Sequence, residues 1–181
     1  VGSEMCIRDS CNVVGFSYDN GKQGSGGIEQ YYNDQLTGTN GREYGYLDDE
    51  SNMEKVIKSA ENGNTIVSTI DVNIQRIVEK YIDEWMGGIG SKTAAVIAMD
   101  PRNGEILAMA TDNPYDLNNP RDLTPYYSDE EIQKMKDKDG GTMLKALYGI
   151  WQNYCISDAF EPGSTVKPLT IGAALDADVV Q

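Results

Sequence analysis

The chain has 181 residues, of which 29 are acidic and 15 basic, giving a formal net charge of −14. A protein this acidic is not expected to bind nucleic acid or anionic lipid through a broad basic surface. It has no histidine, which excludes Ser-His-Asp and Cys-His catalysis and every metal site built on imidazole. The cysteines, Cys6, Cys11 and Cys155, show no C-x-x-C spacing, so no zinc site, redox pair or disulfide framework is indicated. No apolar run in the sequence is long enough to predict a membrane span.

Residues 1–10 read VGSEMCIRDS and are unlike the rest of the chain. They resemble one reading frame of a transposase adapter that is used to build sequencing libraries, so we expect this segment to be non-native. The alternative is an ordinary disordered N-terminus. Under the adapter interpretation, Cys6 is not part of the protein and the genuine sequence starts inside a gene, near Cys11.

The segment 11–47 is rich in glycine, asparagine and tyrosine. Apolar residues at helical spacing predict a helix over 28–36, with Gly38 suited to a left-handed cap just beyond its end. The Asn-Gly pair at 40–41 is typical of a tight turn, and a short strand is predicted over 42–47.

Residues 48–64 are polar at both ends, which favours a solvated face or a linker. We therefore place a domain boundary near Gly63. The β-branched run 65–70 then predicts a strand. Asp71 offers an N-cap carboxylate to the clearest amphipathic helix of the chain. The apolar stripe of that helix consists of Ile74, Ile77, Val78, Tyr81, Ile82 and Trp85.

Two apolar runs, 93–99 and 105–111, flank a turn sequence. The first run is almost continuous, a pattern typical of a strand buried on both faces. The Asp-Pro-Arg-Asn-Gly sequence at 100–104 favours a turn, because proline pre-sets φ and Asn-Gly tolerates a positive φ. The two runs are predicted to form a hairpin at the heart of a sheet.

Residues 112–127 are rich in proline and asparagine and predict a loop. Ser128 and Glu131 fit a capping box that opens a short helix with Ile132 and Met135 facing inward. A break follows at 139–141. A second helical stripe is then predicted, formed by Met143, Leu144, Leu147, Tyr148, Trp151 and Tyr154.

The segment Glu161–Thr170 holds a serine and a lysine three positions apart, Ser164 and Lys167. On a helix this spacing puts both side chains on one face. An amine that is not fully protonated can there remove the serine proton and make the hydroxyl a nucleophile. Gly163 allows a sharp entry into the helix, and Pro168 is tolerated only near its start. Ser164 is therefore predicted close to the helix N-terminus, where free N–H groups favour a developing negative charge.

The Ser-x-x-Lys pair is weak support by itself, because about one such pair is expected by chance in a chain of this length. The alternative is that Ser164 is only an N-cap and Lys167 a solvated residue of the first turn. Lysine in the first turn opposes the helix dipole, which weakens that alternative slightly. The residues alone leave the two interpretations evenly balanced.

Other candidate motifs are poorer. The Gly-x-Gly at 24–26 lacks the third glycine and the preceding strand of a dinucleotide fingerprint, so a linker is favoured. The acidic run 129–131 is more typical of helix-start charges than of a catalytic carboxylate pair. Trp85 and Trp151 lie on apolar stripes and are expected in the core. Cys155 is expected to be a buried small residue without a histidine to activate it.

Four stretches together resemble one family, the class B penicillin-binding proteins. Residues 26–38 are similar to the end of that family's pedestal (dimerisation) domain. Residues 69–75 resemble its T-I-D-x-x-L-Q entry into the transpeptidase domain. Residues 95–110 resemble its first hairpin, and 157–167 its S-D-x-Y-E-P-G-S-T-x-K segment. The order and the spacing of these stretches also match the family.

The resemblance implies an α+β chain with an antiparallel sheet flanked by helices. It divides the chain into the adapter-derived residues 1–10, the end of a pedestal domain and linker at 11–64, and the first, incomplete part of a transpeptidase domain at 65–181. Two positions depart from the family pattern, since Ile74 stands where leucine is usual and Phe160 where tyrosine is usual.

By the same resemblance, Ser164 would be the acylated nucleophile and Lys167 its proton-transfer partner. The implied reaction is acyl transfer that cross-links peptidoglycan stem peptides at the extracytoplasmic face of the bacterial membrane. β-Lactams would inhibit it, cell-wall synthesis proteins would be partners, and no metal or organic cofactor would be needed. The family's Ser-x-Asn and Lys-Thr-Gly motifs do not follow Lys167 here. We therefore expect a fragment, truncated at both ends, that is inactive alone and whose membrane anchor lies upstream.

Two alternatives stay open at this point. One is a β-lactam sensor or a Ser-x-x-Lys β-lactamase on the same scaffold, although the pedestal-like segment before residue 64 argues against a free β-lactamase. The other is a non-catalytic module that keeps the fold without the chemistry.

Overall fold

A computed structural model describes residues 10–18, 23–47, 53–138 and 140–179. Residues 1–9, which make up most of the predicted adapter segment, lie outside this range. The described residues are α+β, as predicted, with helices packed against small antiparallel sheets. In chain order the elements are α1 (Cys11–Val14), β1 (Phe16–Tyr18), β2 (Gln23–Ser25), α2 (Gly27–Tyr31), α3 (Asn33–Leu36), β3 (Arg42–Leu47), β4 (Met53–Lys58), α4 (Val72–Gly87), β5 (Ala95–Met99), β6 (Ile106–Thr111), α5 (Asp129–Lys138), α6 (Gly140–Trp151), α7 (Tyr154–Ser157), a 3₁₀ turn (Gly163–Val166) and α8 (Lys167–Asp176).

The helix predicted over 28–36 is divided into α2 and α3. The division falls at Tyr32, whose ψ of 21° leaves the helical region. Ile28, Tyr32 and Leu36 are half buried, whereas Tyr31 is exposed. The apolar stripe is therefore narrower than the sequence predicts.

The strand predicted over 42–47 is confirmed as β3, which pairs antiparallel with β4. Of the two alternatives predicted for the polar segment, a solvated face agrees with Met53–Lys58, where Lys55, Ile57 and Lys58 are exposed, and a linker is wrong there. Residues 48–52 lie outside the described part of the chain. The predicted turn at 40–41 is also wrong, because these residues lead directly into the β3–β4 pairing. Gly38 has no left-handed φ. It is required instead by the Glu61 carbonyl, which would lie 2.2 Å from a Cβ at this position.

The strand predicted over 65–70 is wrong, since these residues join none of the sheets in the described ranges. The end of the segment follows the outer edge of β6. The Thr69 hydroxyl donates to the Ile106 carbonyl at 2.7 Å, and the Asp71 N–H donates to the Leu107 carbonyl at 2.9 Å. The segment thus covers part of that edge without forming a ladder.

Helix α4 begins at the predicted N-cap. The Asp71 carboxylate accepts the N–H groups of the second and third helical residues at 2.8 and 3.1 Å. The buried face differs from the predicted stripe: Ile82 is buried, but Ile77, Tyr81 and Trp85 are exposed. The most buried residue of the helix is Gln75, which is only 1% exposed.

The Gln75 amide is buried because it replaces a neighbouring strand. Its Nε2 donates to the Met109 carbonyl at 3.0 Å, and its Oε1 accepts the Met109 N–H at 2.9 Å. One side chain therefore satisfies both backbone groups of a β6 residue and fixes α4 to the edge of the hairpin.

The hairpin predicted from the two apolar runs is confirmed as β5–β6. Gly104 closes it with a φ of +80°. The Asp100 carboxylate accepts hydrogen bonds from the Arg102 guanidinium at 2.6–3.2 Å within the turn. The prediction that the first run is buried on both faces is wrong, because β5 is largely exposed. In β6, Ala108, Ala110 and Thr111 are buried.

The capping box before α5 is confirmed. The Ser128 N–H and hydroxyl both donate to the Glu131 carboxylate, at 2.9 and 2.8 Å. Ile132 is buried and Met135 half buried, as predicted. Helix α6 turns Leu147 and Ile150 into the core, although Ile150 is absent from the predicted stripe.

The main apolar core joins the start of the described chain to residues between Tyr115 and Ile150. It contains Cys11, Phe16, Tyr115, Leu123, Ile132, Leu147 and Ile150. The Tyr115 hydroxyl donates to the Cys11 carbonyl at 3.0 Å, and the Trp151 indole N–H donates to the Pro120 carbonyl at 2.6 Å. Residues from both sides of the boundary predicted near Gly63 thus pack together. The assignment of 11–64 to a separate domain stays a prediction.

Candidate active site

Ser164 lies in the 3₁₀ turn Gly163–Val166, which runs directly into α8. Gly163 opens the turn with a φ of +56°, a left-handed value that glycine adopts without strain. The N–H and the hydroxyl of Thr165 both donate to the Pro162 carbonyl and close the entry. Ser164 is therefore the second residue of a continuous helical segment.

Lys167 follows Ser164 by one turn. Its N–H donates to the Ser164 carbonyl, and it is the first residue of α8. Residues three apart are eclipsed in 3₁₀ geometry, so the two side chains leave the backbone on the same side. Both residues are exposed, and within the described ranges no hydrogen bond joins the hydroxyl to the ammonium. The two groups are adjacent and open to solvent.

Helix α8 presents apolar side chains to solvent. Pro168 sits in its first turn, where the missing N–H costs no intrahelical hydrogen bond. Leu169 is 72% exposed, and Ile171 and Leu175 are also more than half exposed. The helix that carries the lysine therefore has little packing around it in this structure.

The segment leading to Ser164 is anchored at Asn153, which the sequence analysis does not single out. Asn153 is buried. Its Oδ1 caps α7 by accepting the Cys155 N–H at 3.0 Å, and its Nδ2 donates to the Asn12 carbonyl at 3.4 Å. Asparagine just before an apolar helical stretch is an N-cap signal. The sequence analysis places Tyr154 at the end of the preceding helical stripe, so Asn153 falls inside a predicted helix and its N-cap signal is hidden.

Neither of the cysteines in the described part of the chain is poised as a nucleophile. Cys155 is half buried and borders a cavity of about 440 Å³ between β5 and α7. Burial raises the pKa of its thiol, and burial raises the pKa of the Cys11 thiol to about 11. Both thiols are protonated at neutral pH, and the thiolate is the reactive form.

The remaining candidates have structural roles. Glu131 belongs to the capping box, in agreement with helix-start charges. Trp151 packs against the core as expected, but Trp85 is 46% exposed, so its predicted core position is wrong. Across the described ranges, no cluster of three or more acidic or cysteine side chains could hold a metal ion. No helix in this part of the chain has the length and apolarity to cross a membrane.

The comparisons with a family model and with known relatives agree with each other. The family model of the penicillin binding protein transpeptidase domain matches residues 94–181, which include Ser164 and Lys167. The probable peptidoglycan D,D-transpeptidase PenA of Neisseria gonorrhoeae is 30% identical over 171 residues, covering 92% of this chain and 25% of that protein. The peptidoglycan D,D-transpeptidase FtsI of Escherichia coli K12 is 27% identical over 174 residues, covering 95% and 26% respectively.

Two solved structures share the fold. A peptidoglycan synthetase from Bifidobacterium adolescentis superimposes with a TM-score of 0.69 at 24% identity, over 96% of this chain and 28% of that chain. Penicillin-Binding Protein PBP2 from Helicobacter pylori gives a TM-score of 0.57 at 21% identity, over 94% and 32%.

The hairpin β5–β6 and the helical segment that bears Ser164 thus lie within the residues that match the transpeptidase domain, and the fold of the chain is shared with the peptidoglycan synthetase. Residues 94–181 match the penicillin binding protein transpeptidase domain, and the chain is similar over more than nine tenths of its length to proteins named peptidoglycan D,D-transpeptidases. It spans about a quarter of the length of the curated relatives it matches.

Proposed function

We propose that the chain is part of a transpeptidase that cross-links peptidoglycan stem peptides through an acyl-serine intermediate. Ser164 is the nucleophile, and Lys167 accepts its proton. The observation that carries the proposal is the single turn that joins the two residues, closed by the hydrogen bond from the Lys167 N–H to the Ser164 carbonyl. The turn lies within the residues that match the transpeptidase domain.

The reaction divides into acylation and acyl transfer. In acylation, the Ser164 hydroxyl attacks the carbonyl carbon of the penultimate D-alanine while the side-chain amine of Lys167 takes the hydroxyl proton. The C–N bond to the terminal D-alanine breaks, and the leaving amine gains a proton. An amine of a neighbouring stem peptide then attacks the ester, forms the new amide and returns Ser164 as a free hydroxyl. A β-lactam undergoes the first step and leaves a stable acyl-serine.

The start of the helical segment suits this chemistry electrostatically. Ser164 is the second residue of the segment, where backbone N–H groups are not used by helical hydrogen bonds. The positive end of the helix dipole favours the negative charge that develops on the carbonyl oxygen during attack. In the proposed mechanism, the Ser164 N–H donates to that oxygen.

Other parts of the proposal concern a whole protein of the relatives' length. The reaction also needs Ser-x-Asn and Lys-Thr-Gly motifs, and neither follows Lys167 in the sequence. We therefore propose that the 181 residues are inactive alone. Residues 11–64 are proposed as the end of a pedestal domain. The protein would act on stem peptides at the extracytoplasmic face of the membrane, with cell-wall synthesis proteins as partners and β-lactams as inhibitors.

Labelling by a fluorescent penicillin tests the proposed roles on the protein expressed from its natural gene. The natural protein should be labelled covalently, and Ser164→Ala should abolish the label. Lys167→Ala should slow labelling by about 10²-fold or more, because general-base assistance contributes on that order. Ser157→Ala is the matched control, since Ser157 is an exposed serine at the end of α7, and it should be labelled normally.

The same experiment separates the alternatives. Labelling of a folded Ser164→Ala protein at the natural rate would refute the assignment of the nucleophile. Rapid hydrolytic release of the label would favour a β-lactamase, and stable labelling without cross-linking of stem peptides would favour a β-lactam sensor. A folded natural protein that takes up no label would favour a non-catalytic module.

A further inference from the structure

The hairpin β3–β4 holds two cations directly opposite each other. Its register pairs Arg42 with Lys58. Directly opposite residues of an antiparallel pair point to the same face, with Cβ atoms roughly 4.5–5.5 Å apart, and like charges there destabilise the pairing. The chain has a net charge of −14, so acidic partners are abundant. Even so, neither cation makes an ion pair within the described ranges.

Glu43 and Glu61 lie on the other face of the hairpin, whereas Glu54 shares the face of the two cations but is paired at the opposite end of the ladder. Glu43 alternates away from Arg42, and its carboxylate contacts the ammonium of Lys55 at 2.6 Å. Glu61 is three positions from Lys58 and falls on the Glu43 face by the same alternation. At the Arg42–Lys58 end of the ladder, the two positive charges therefore have no ion-pair partner among the described residues.

These cations border a cavity with a fixed backbone frame. The cavity has a volume of about 610 Å³ and is lined by Gly38, Thr39, Asn40, Arg42, Tyr44 and Lys58. Thr39 and Glu61 exchange two backbone hydrogen bonds of 2.8 and 2.9 Å behind it. A Cβ on Gly63 would lie 1.8 Å from the Leu36 carbonyl oxygen, so this wall admits only glycine. The backbone next to the two cations is thus fixed by close packing, while their side chains are exposed.

The shape and the charge of this cavity select a class of ligand. Its volume lies within the range of small-molecule sites, about 300–1,000 Å³, and far exceeds that of one inorganic ion. Arginine offers a planar fork and lysine a compact charge, a combination that suits phosphate oxygens. A phosphomonoester carries a charge of about −1.5 to −2 at pH 7, which two cations match. Tyr44 follows Arg42 on the same face and is 56% exposed, so it offers a flat surface for a sugar ring.

From this arrangement we infer that the face formed by Arg42, Tyr44 and Lys58 is a binding site for a sugar phosphate. The phosphate lies between the two cations, and the sugar ring packs over Tyr44. Binding removes the repulsion between opposite positive charges, so the ligand also stabilises the hairpin. The site is separate from the Ser-x-x-Lys pair and does not depend on the function proposed for it.

Titration of the isotopically labelled 181-residue chain with glucose-1-phosphate, followed by amide NMR, tests the site. Saturable shifts are expected at Gly38, Thr39 and Asn40. Arg42→Gln and Lys58→Gln should each weaken binding about ten-fold, the loss expected for one charge-assisted hydrogen bond. Lys55→Gln is the matched control on the other face of the same hairpin and should bind normally.

The outcomes divide clearly. Weaker binding of inorganic phosphate and of glucose than of glucose-1-phosphate supports a joint site for both parts of the ligand. The sugar-phosphate site is overturned if inorganic phosphate binds as tightly as glucose-1-phosphate. It is also overturned if the amide shifts are scattered over the chain, or if Lys55→Gln loses as much affinity as Arg42→Gln and Lys58→Gln. The proposal is overturned as well if the amide spectrum recorded with ligand shows that β3 and β4 are not paired. Arg42→Lys keeps the charge, and this folded variant should bind with an affinity between those of the natural chain and Arg42→Gln.

Discussion

Replacing Gln75 with leucine tests whether one side-chain amide fixes α4 to the edge of β6. Leucine is similar in size to glutamine and has a similar helix propensity, so the main change is the loss of hydrogen bonds. The N–H and the carbonyl of Met109 then lie beneath the helix without partners. A buried group left unpaired costs about 1–3 kcal/mol. Because Met109 is only half buried, we expect the two groups together to lower the free energy of unfolding by about 2–4 kcal/mol.

Urea denaturation measures that free energy, and hydrogen exchange at the Met109 amide reports on the local bond. Asn73→Leu is the control, because Asn73 lies two positions away on the exposed side of the same helix. It should change stability by no more than about 0.5 kcal/mol, as surface substitutions usually do. A Gln75→Leu chain as stable as this control, with unchanged exchange at Met109, would refute the role assigned to the amide.

The capping box and the thiols give two further predictions. Hydrogen bonds from the Ser128 backbone and hydroxyl lower the pKa of Glu131 in the folded chain. Ionised Glu131 therefore stabilises the fold above its unfolded pKa of about 4.5, and this stabilisation is lost as the pH falls through the lower folded pKa. Thermal melts should show a smaller acid-side loss in Glu131→Gln than in the natural chain and in Glu130→Gln, because the lowered pKa values of Asp100 and Asp122 still contribute in all three; equal pH dependence in all three would contradict the role of Glu131. Iodoacetamide at pH 8 should modify Cys155 in the folded chain well before Cys11, which is buried and has a raised pKa. Peptide mass spectrometry measures the order, and faster modification of Cys11 would contradict the burial argument.

Local signals in the sequence predict the helix starts and the main hairpin correctly. The Asp71 cap, the capping box at 128–131 and the Gly104 turn each depend on residues within a few positions of one another. Such contacts need no knowledge of the rest of the fold. The entry to the candidate site belongs to this group, because Gly163 and Pro168 mark the start of its helix in the sequence.

Features that depend on distant partners could not be predicted in this way. The apolar stripe of α4 suggested a buried face, yet the helix buries Gln75 because the edge of β6 needs a hydrogen-bond partner there. The strand β4 has a polar sequence, and only its pairing with β3 identifies it. Arg42 and Lys58 are cross-strand neighbours only in that register, so the pair could not be predicted from a sequence in which β4 was not recognised. Asn153 is a mixed case: its local N-cap signal was hidden by the assignment of the next residue to the preceding helix, and its hydrogen bond to Asn12 depends on a distant partner.

The core described above has a consequence for how the chain is made. Asn153 bonds to Asn12 across 141 positions, and Phe16 packs on Trp151 with ring centroids 4.9 Å apart. Asn12 and Phe16 therefore leave the ribosome well before their partners Asn153 and Trp151 are synthesised. At about 5–20 residues per second, the wait is on the order of ten seconds. During that interval Phe16 is a natural target for chaperones or for aggregation, and a synonymous change that slows translation near codon 120 would lengthen the exposure.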